Sequence, residues 1–382
     1  MKLALYVHDF KLEIGHSNSL IELIRHLPPT LMADVTDIKV VSFSVTALNT
    51  LFPDFKGNLS WVQVPFKGIK PVLLKSIFYQ LWTFFYNFLF LRNDYSKIGI
   101  GISSLSVDFV SIQFIHHQWT QRGLKLETGH GMRKFYKKIL FAYFEVCENY
   151  LIRKKKIRFF SPASFLTNYL KIKNPDLITS TIYSGVNLSR FELSNLSKDK
   201  LLEELLPHYP ILKKLDTKKP IYLFVGAYER KGLLDALDIL EVVKDRPQFI
   251  VIGSPSMGKT MHWPQNIDVF PISFTKEVHK FYSLSDSFIF PTMYEPFGLV
   301  LFEAMAMGLT IITRREEVGA SELLEGLEEV YFCDQDKFSF PKVEILNYEK
   351  RVQLRLRRLQ QLGDVSWHKA GNELARFLQL TS

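Results

Sequence analysis

The sequence predicts an α/β protein built from two Rossmann-like halves, and three observations predict it. Short runs of β-branched and aromatic residues alternate with helical stretches along nearly the whole chain. The alternation is interrupted once, by residues 187–218, which are polar, proline-marked and lysine-rich before a new strand run begins at Pro220. The 382 residues, 47% of them hydrophobic, supply enough apolar material for two domains and rule out a disordered chain.

In the first half, strands are expected at 2–7 (KLALYV), 37–45 (DIKVVSFSV), 60–66 (SWVQVPF), 97–103 (KIGIGIS), 109–115 (FVSIQFI), 156–161 (KIRFFS) and 180–184 (STIYS). The opening MKLALYVHDF has too short an apolar run for a signal peptide and reads as the first strand. Residues 72–91 (VLLKSIFYQLWTFFYNFLFL) are long enough to span a bilayer and carry one formal charge, Lys75. Strand runs flank the stretch and no positive-inside pattern frames it, so a helix buried in the α/β core is expected, with peripheral membrane contact left open. After residue 218 the order is strand 220–226 (PIYLFVG), helix 230–243, strands 248–253 (QFIVIG) and 267–272 (IDVFPI), helix 275–285, strand 287–290 (SFIF), helix 298–307, strand 309–313 (LTIIT) and helix 320–326. Helical stretches at 347–362 and 367–380 follow without another strand. The expected division is a domain at 1–186, a linker at 187–218, a second domain at 219–362 and a terminal helix at 363–382.

Lysine plus arginine number 48 against 39 for aspartate plus glutamate, a net charge of +9. That excess suits an anionic partner: a phosphorylated substrate, a nucleic acid or an anionic lipid surface. Cys147 and Cys333 stand alone, which leaves no disulfide framework and no thiolate zinc site and fits a reducing compartment.

The most informative segment is 287–308, SFIFPTMYEPFGLVLFEAMAMG. A strand ends at Pro291, a turn holds Glu295, Pro296, Phe297 and Gly298, and a helix then runs to Gly308. The first amides of such a helix lack intrahelical partners and favour phosphate. Glu295 from the loop and Glu303 from the second helical turn can both face one ligand, and paired carboxylates beside a nucleotide accept hydrogen bonds from sugar hydroxyls. The competing reading is an amphipathic helix with a solvated glutamate.

The strand, the P-F-G turn and both glutamates together resemble the E-x7-E signature of the retaining GT-B glycosyltransferases of family 4, also called glycosyltransferase group 1. Further matches follow in order. Residues 182–191, IYSGVNLSRF, resemble the family's pre-linker strand and turn, with Asn187 where an aspartate is usual; 222–232, YLFVGAYERKG, resemble the first strand of its donor domain with Gly226, Arg230 and Lys231; 280–291, KFYSLSDSFIFP, resemble the approach to the signature. The resemblance implies a GT-B fold, two Rossmann-like domains facing across a cleft, with the C-terminal helix returning to the first domain. It also implies a nucleotide diphosphate sugar as donor, with Glu303 on the ribose hydroxyls, Glu295 on the donor sugar, the Gly298 and Leu299 amides at the diphosphate, and Phe297 among the donor-binding residues. Arg230 and Lys231 would stabilise the charge that grows on the leaving group.

In the first half, HDFKLEIGHSNSLIEL gives a strand, a loop with Gly15 and a helix expected to be capped by Ser17 or Asn18. Similar transferases have two adjacent glycines here; this chain has Gly15 and then His16. His116 and His117 follow a strand, and the family's histidine beside the transferred sugar corresponds to His116. No cofactor and no metal are expected.

Two other motifs compete. Residues 253–260, GSPSMGKT, fit the P-loop pattern and would make the chain a nucleotide hydrolase or kinase, but Pro264 follows where a P-loop helix should run. Asp334, Gln335 and Asp336 form a D-x-D, which lies in the wrong place for the metal-dependent glycosyltransferase fold and reads as a loop. A non-catalytic sugar-nucleotide-binding protein is a third possibility.

Between the histidine pair and the next strand, Arg122, Lys125, Arg133, Lys134, Lys137, Lys138 and Arg153 to Lys156 alternate with Phe135, Tyr136, Leu140, Phe141, Tyr143 and Phe144. Such an arm suits an anionic bilayer surface, and no nucleic-acid motif accompanies it. The chain is similar to lipopolysaccharide core glucosyltransferases in this region, whose corresponding segment touches the membrane. The expectation is therefore a cytoplasmic enzyme, peripheral on the inner face of the cytoplasmic membrane, that moves a hexose, from a UDP-sugar by preference, to a glycan or glycolipid acceptor and binds no nucleic acid.

Overall fold

The computed structural model describes residues 1–91, 94–120, 131–187, 191–254, 261–316, 318–334 and 338–379. The chain divides into two units, Met1–Gly185 with Val365–Ser382, and Val186–Asp364.

The first unit holds a seven-stranded sheet in the order Asn58–Gln63, Asp37–Ser42, Lys2–Tyr6, Tyr95–Ile100, Phe109–Ser111, Arg158–Ser161, Ile178–Thr181. The second holds six strands in the order Asp268–Ile272, Gln248–Ile252, Ile221–Val225, Ser287–Phe290, Thr310–Thr313, Val330–Phe332. All pairings in both are parallel. Numbered within its own sheet, each begins 3-2-1-4, the doubly wound strand order, which reverses beside the first strand. The sequence reflects this: a parallel sheet is covered on both faces, so Leu3 to Tyr6 and Ile221 to Phe224 are continuous buried runs. Pro271 is tolerated because Asp268–Ile272 is an edge strand.

The C-terminal helix Trp367–Gln379 belongs to the first unit. Trp367, Leu374, Ala375, Phe377 and Leu378 join the core built on Leu3, Leu5, Ile21 and Ile24. The fit needs glycine at two points: a Cβ at Gly371 would stand 1.9 Å from the His26 carbonyl oxygen, and one at Gly185 would stand 2.3 Å from Trp367 N.

Three sequence expectations are corrected. Of residues 187–218, read as a linker, 191–218 fold on the second unit: helix Lys198–Leu205 buries Leu201 and Leu205, Leu212 and Leu215 follow, and Lys198 Nζ lies 2.5 Å from Asp286 Oδ2. The helix after the N-terminal loop starts at Gly15, not after Ser17 or Asn18; the Ser17 hydroxyl is buried and accepts the Lys11 N–H at 2.9 Å instead of capping a helix amide. Helix Val72–Leu89 is not an apolar core helix, since its buried residues are Ser76, Tyr79, Gln80, Thr83 and Asn87 while Leu81, Phe84, Phe85 and Phe88 face outward. Among the described residues no helix is long and apolar enough to cross a membrane.

Candidate active site

In the second unit the order of strands across the sheet reverses between Ile221–Val225 and Ser287–Phe290, which pair directly. Open parallel sheets bind ligands beyond the carboxyl ends of the strands at such a point. The loops leaving these two strands carry Gly226, Arg230 and Lys231 on one side and Glu295 and Gly298 on the other.

These residues form one cluster. Lys231 Nζ contacts Glu295 Oε2, Arg230 Nη1 lies 3.7 Å from the same oxygen, and the Lys231 ammonium sits over the Phe290 ring at 5.1 Å. Glu295 Oε2 is buried and held by charge, taking no well-directed hydrogen bond. Burial, and then the Arg230 charge, pull the Lys231 ammonium well below its usual range, while contact with the carboxylate opposes that. Two basic side chains thus converge on one carboxylate.

Backbone geometry fixes the cluster. Gly226 has φ +148°, and a Cβ there would stand 2.7 Å from Lys231 Cγ. Gly232, φ +77°, turns the chain into helix Leu233–Leu240 with no room beside the Pro291 carbonyl oxygen, where a Cβ would approach to 2.3 Å. The Glu295 loop is fastened from below: Gly319 N–H donates to Glu295 O at 2.9 Å and Ala320 N–H to Phe297 O at 2.6 Å. Gly298, φ +99°, opens helix Leu299–Ala306 without a side-chain cap; a Cβ there would lie 3.2 Å from Glu295 Cγ.

Glu303 rises from the second turn of that helix, about 7.5 Å along the axis from Gly298 at 1.5 Å per residue. Tyr282 Oη donates to Glu303 Oε2 at 3.1 Å and to Val300 O at 3.4 Å. The sequence reading gave Tyr282 no role; the stretch 280–291 was legible as an approach to the signature, but only the fold shows which side chain orients the glutamate. The Phe297 ring is buried and stacked on Phe302 at 5.1 Å, so its side chain anchors the turn.

In the first unit, Gly15 and His16 open helix Gly15–Arg25, both exposed, and a Cβ at Gly15 would meet nothing within 4 Å. Gln113 Nε2 donates to His16 O at 3.2 Å, joining this turn to the loop after Phe109–Ser111. His116 lies between Phe114 and Phe144, ring centroids 5.2 and 4.9 Å away, and burial holds its imidazole down to about 4. Glu148 positions the pair, accepting the His116 N–H at 2.7 Å and the His117 N–H at 3.4 Å; His117 Nδ1 lies 2.5 Å from Glu145. Burial pushes the Glu148 carboxyl up to about 7 against the pull of those amides. Sequence reasoning also missed His8, beyond the end of the first strand. Its Nε2 is buried without a hydrogen-bond partner, and its ring meets Tyr79 edge-on at 4.6 Å.

The rival motifs fare less well. Residues 255–260 of the P-loop pattern lie outside the described residues, and 261–267, where its helix should continue, contain none. Of the D-x-D, 335 and 336 lie outside the described residues. Asp334 accepts the Arg315 and Glu316 N–H groups at 2.8 to 2.9 Å. Among the described residues no three His, Cys, Asp or Glu are grouped to hold a metal.

Comparison with known proteins decides the family of the second unit. Residues 219–341 match the family described as glycosyl transferases group 1. The chain carries a group 1 glycosyl transferase domain. Glycogen synthase of Bacillus cereus (strain ATCC 10987 / NRS 248) is 30% identical over 142 residues, 35% of this chain and 29% of the relative, so the match spans less than a third of that protein. Among solved structures, WaaG, a glycosyltransferase involved in lipopolysaccharide biosynthesis, aligns over 100% of this chain and 95% of its own with TM-score 0.60 and 16% identity. HepE of Anabaena, solved with UDP and glucose, aligns over 100% of both chains with TM-score 0.62 and 13% identity. Sucrose-phosphate synthase of Thermosynechococcus elongatus aligns over 100% of this chain and 98% of its own with TM-score 0.66 and 12% identity. These likenesses show the GT-B fold.

Proposed function

We propose that the chain is a retaining glycosyltransferase that moves a hexose from a nucleotide diphosphate sugar, a UDP-sugar by preference, to a hydroxyl of a cell-envelope glycan or glycolipid. The observation that carries the reading is the Arg230, Lys231 and Glu295 cluster beside a glycine-opened helix at the switch point of the second sheet. A diphosphate gains negative charge as its glycosidic bond breaks, and cations already held in place by a carboxylate and a buried ring stabilise that charge without reorganising.

In this reading the Gly298 and Leu299 amides meet the diphosphate, Glu303, turned by Tyr282, accepts the ribose hydroxyls, and Glu295 both seats Lys231 and faces the donor sugar. The acceptor enters over the first unit near Gly15, His16 and His116. A His116 held neutral can accept or donate a single hydrogen bond to a sugar hydroxyl. The departing phosphate oxygen takes the acceptor proton, no side chain is assigned as a nucleophile, and no metal is required. The UDP and glucose bound by HepE support the donor class, and the lipopolysaccharide role of WaaG supports the acceptor class. The basic side chains of helix Met132–Arg153 support work against an anionic membrane surface, peripheral on its cytoplasmic side; Arg122 and Lys125 of that arm lie outside the described residues.

Titration calorimetry with UDP tests the ribose assignment. Glu303→Ala is expected to weaken binding roughly tenfold or more, the loss of charge-assisted hydrogen bonds worth about 1.5–3 kcal/mol. Unchanged affinity in a folded variant sinks it.

A further inference from the structure

Helix Val72–Leu89 is mounted polar side inward. Gln80 Nε2 donates to Ile102 O at 2.7 Å, Thr83 Oγ1 to Ser104 Oγ at 3.1 Å, and Asn87 Nδ2 to Ser106 O at 2.8 Å, while Tyr6 donates to Asn87 Oδ1. Those bonds fix the rotation of the helix, because turning it over would leave buried acceptors unpaired. The opposite face therefore presents Leu81, Phe84, Phe85 and Phe88, each more than half exposed, and Leu89 and Phe90 continue the patch. A soluble helix normally shows the reverse pattern.

A second helix extends this face. Leu73 N–H donates to Tyr136 Oη at 3.1 Å and Tyr143 donates to Gln80, so Met132–Arg153 runs alongside in the same direction. Its exposed stripe is Phe135, Ile139, Val146 and Tyr150, at spacings of three to four residues or their sum. Between the helices lies a groove lined by Ile77, Leu81, Phe84, Tyr143, Tyr150 and Lys154. Cations stand at both ends of the second helix: Arg133, Lys134, Lys137 and Lys138 at its start, and Arg153, Lys154, Lys155 and Lys156 at its finish. Residues 72–91 contain no aspartate or glutamate. In 131–156 only Glu145 and Glu148 occur, and both are turned inward to the histidine loop.

We infer that this two-helix face docks on an anionic lipid bilayer, with the aromatic stripe of Val72–Leu89 entering the acyl boundary and the lysines and arginines meeting the headgroups. The inference rests on the membrane-facing reading above and assigns the contact to a helix that reading left out. Charge selects the occupant: exposed aromatic and aliphatic side chains rimmed by a marked excess of lysine and arginine match an anionic interface. The helix lies on the bilayer, since no described helix is fit to cross one.

The test is flotation of the full chain with phosphatidylcholine vesicles, with or without about 30 mol % phosphatidylglycerol, at low and high salt. The wild type is expected to bind the anionic vesicles. Phe84→Ser/Phe85→Ser/Phe88→Ser is expected to lose about tenfold or more in partitioning and to lose the part that survives high salt. Lys134→Gln/Lys137→Gln/Lys138→Gln is expected to lose chiefly the salt-sensitive part. An environment-sensitive dye on Phe85→Cys, in a Cys333→Ser background, should shift to the blue on binding. Far-ultraviolet circular dichroism checks that each variant is folded. If the wild type binds anionic vesicles but the serine variant binds equally and the dye does not move, the insertion is wrong and the electrostatic reading stands. If the wild type binds no vesicle, both are overturned; if the serine variant binds as the wild type does and only converts a dimer to a monomer, the insertion is overturned.

Discussion

Gly226→Ala probes the donor cluster without touching a charged group. The new Cβ would stand 2.7 Å from Lys231 Cγ and 3.3 Å from its Cβ, on a backbone at φ +148°, where residues other than glycine are strained. The lysine stem must move, and the ammonium then leaves the Glu295 carboxylate and the Phe290 ring. Losing one charge-assisted contact in the transition state removes about 1.5–3 kcal/mol, a fall of roughly 10- to 150-fold in kcat/KM. Strain of about 1–3 kcal/mol should lower Tm by roughly 2–12 °C for a unit of this size. The assay is release of nucleoside diphosphate from a donor sugar at subsaturating concentration, beside a thermal melt. A variant with the expected Tm loss but wild-type kcat/KM refutes the idea that this glycine is reserved for the lysine.

Other expectations follow from buried charge. Asp286 is fully buried and meets Lys198 Nζ at 2.5 Å and Arg351 Nη2 at 3.5 Å, while accepting the Ile221 and Leu346 N–H groups. Asp286→Ala strands two cations, so urea unfolding should show the second unit weakened by about 3–5 kcal/mol; a loss under 1 kcal/mol contradicts this account. Glu148 titrates near 7 in the native state against about 4.5 unfolded, so the folded chain binds its proton more tightly. Its contribution to stability is largest below pH 4.5 and falls by about 3 kcal/mol as pH rises through 7. Glu148→Gln should flatten that slope in unfolding curves measured between about pH 4.5 and 7, and an unchanged slope would assign the titration elsewhere.

Both sheets were legible because parallel strands covered on two faces must be runs of Val, Ile, Leu and Phe. Val330–Phe332 escaped because three residues between acidic neighbours carry no pattern. Residues 187–218 misled by composition: the lysines dominate the average, yet Leu201, Leu205, Leu212 and Leu215 decide where the segment packs. Residues 72–91 misled in the opposite sense, since apolar density cannot show which side chains find hydrogen-bond partners. At the site, Arg230, Lys231, Glu295 and Glu303 were legible as motif positions. Their pairing was not, because Lys231 and Glu295 are far apart in sequence and meet only where two adjacent strands end. The packing of the Phe297 ring on Phe302 was equally invisible, because a turn residue can point either way and only the fold decides.

The central claim is that the Arg230, Lys231 and Glu295 cluster serves glycosyl transfer. The most direct test incubates the full chain with UDP- and GDP-sugars and envelope glycan or glycolipid acceptors, following acceptor mass and free nucleoside diphosphate together, with Lys231→Met in parallel. The account predicts an acceptor heavier by one hexose for each nucleoside diphosphate released, and a loss of both signals in the variant. Nucleotide sugar bound with no acceptor gaining mass, or ATP consumed in its place, would contradict it.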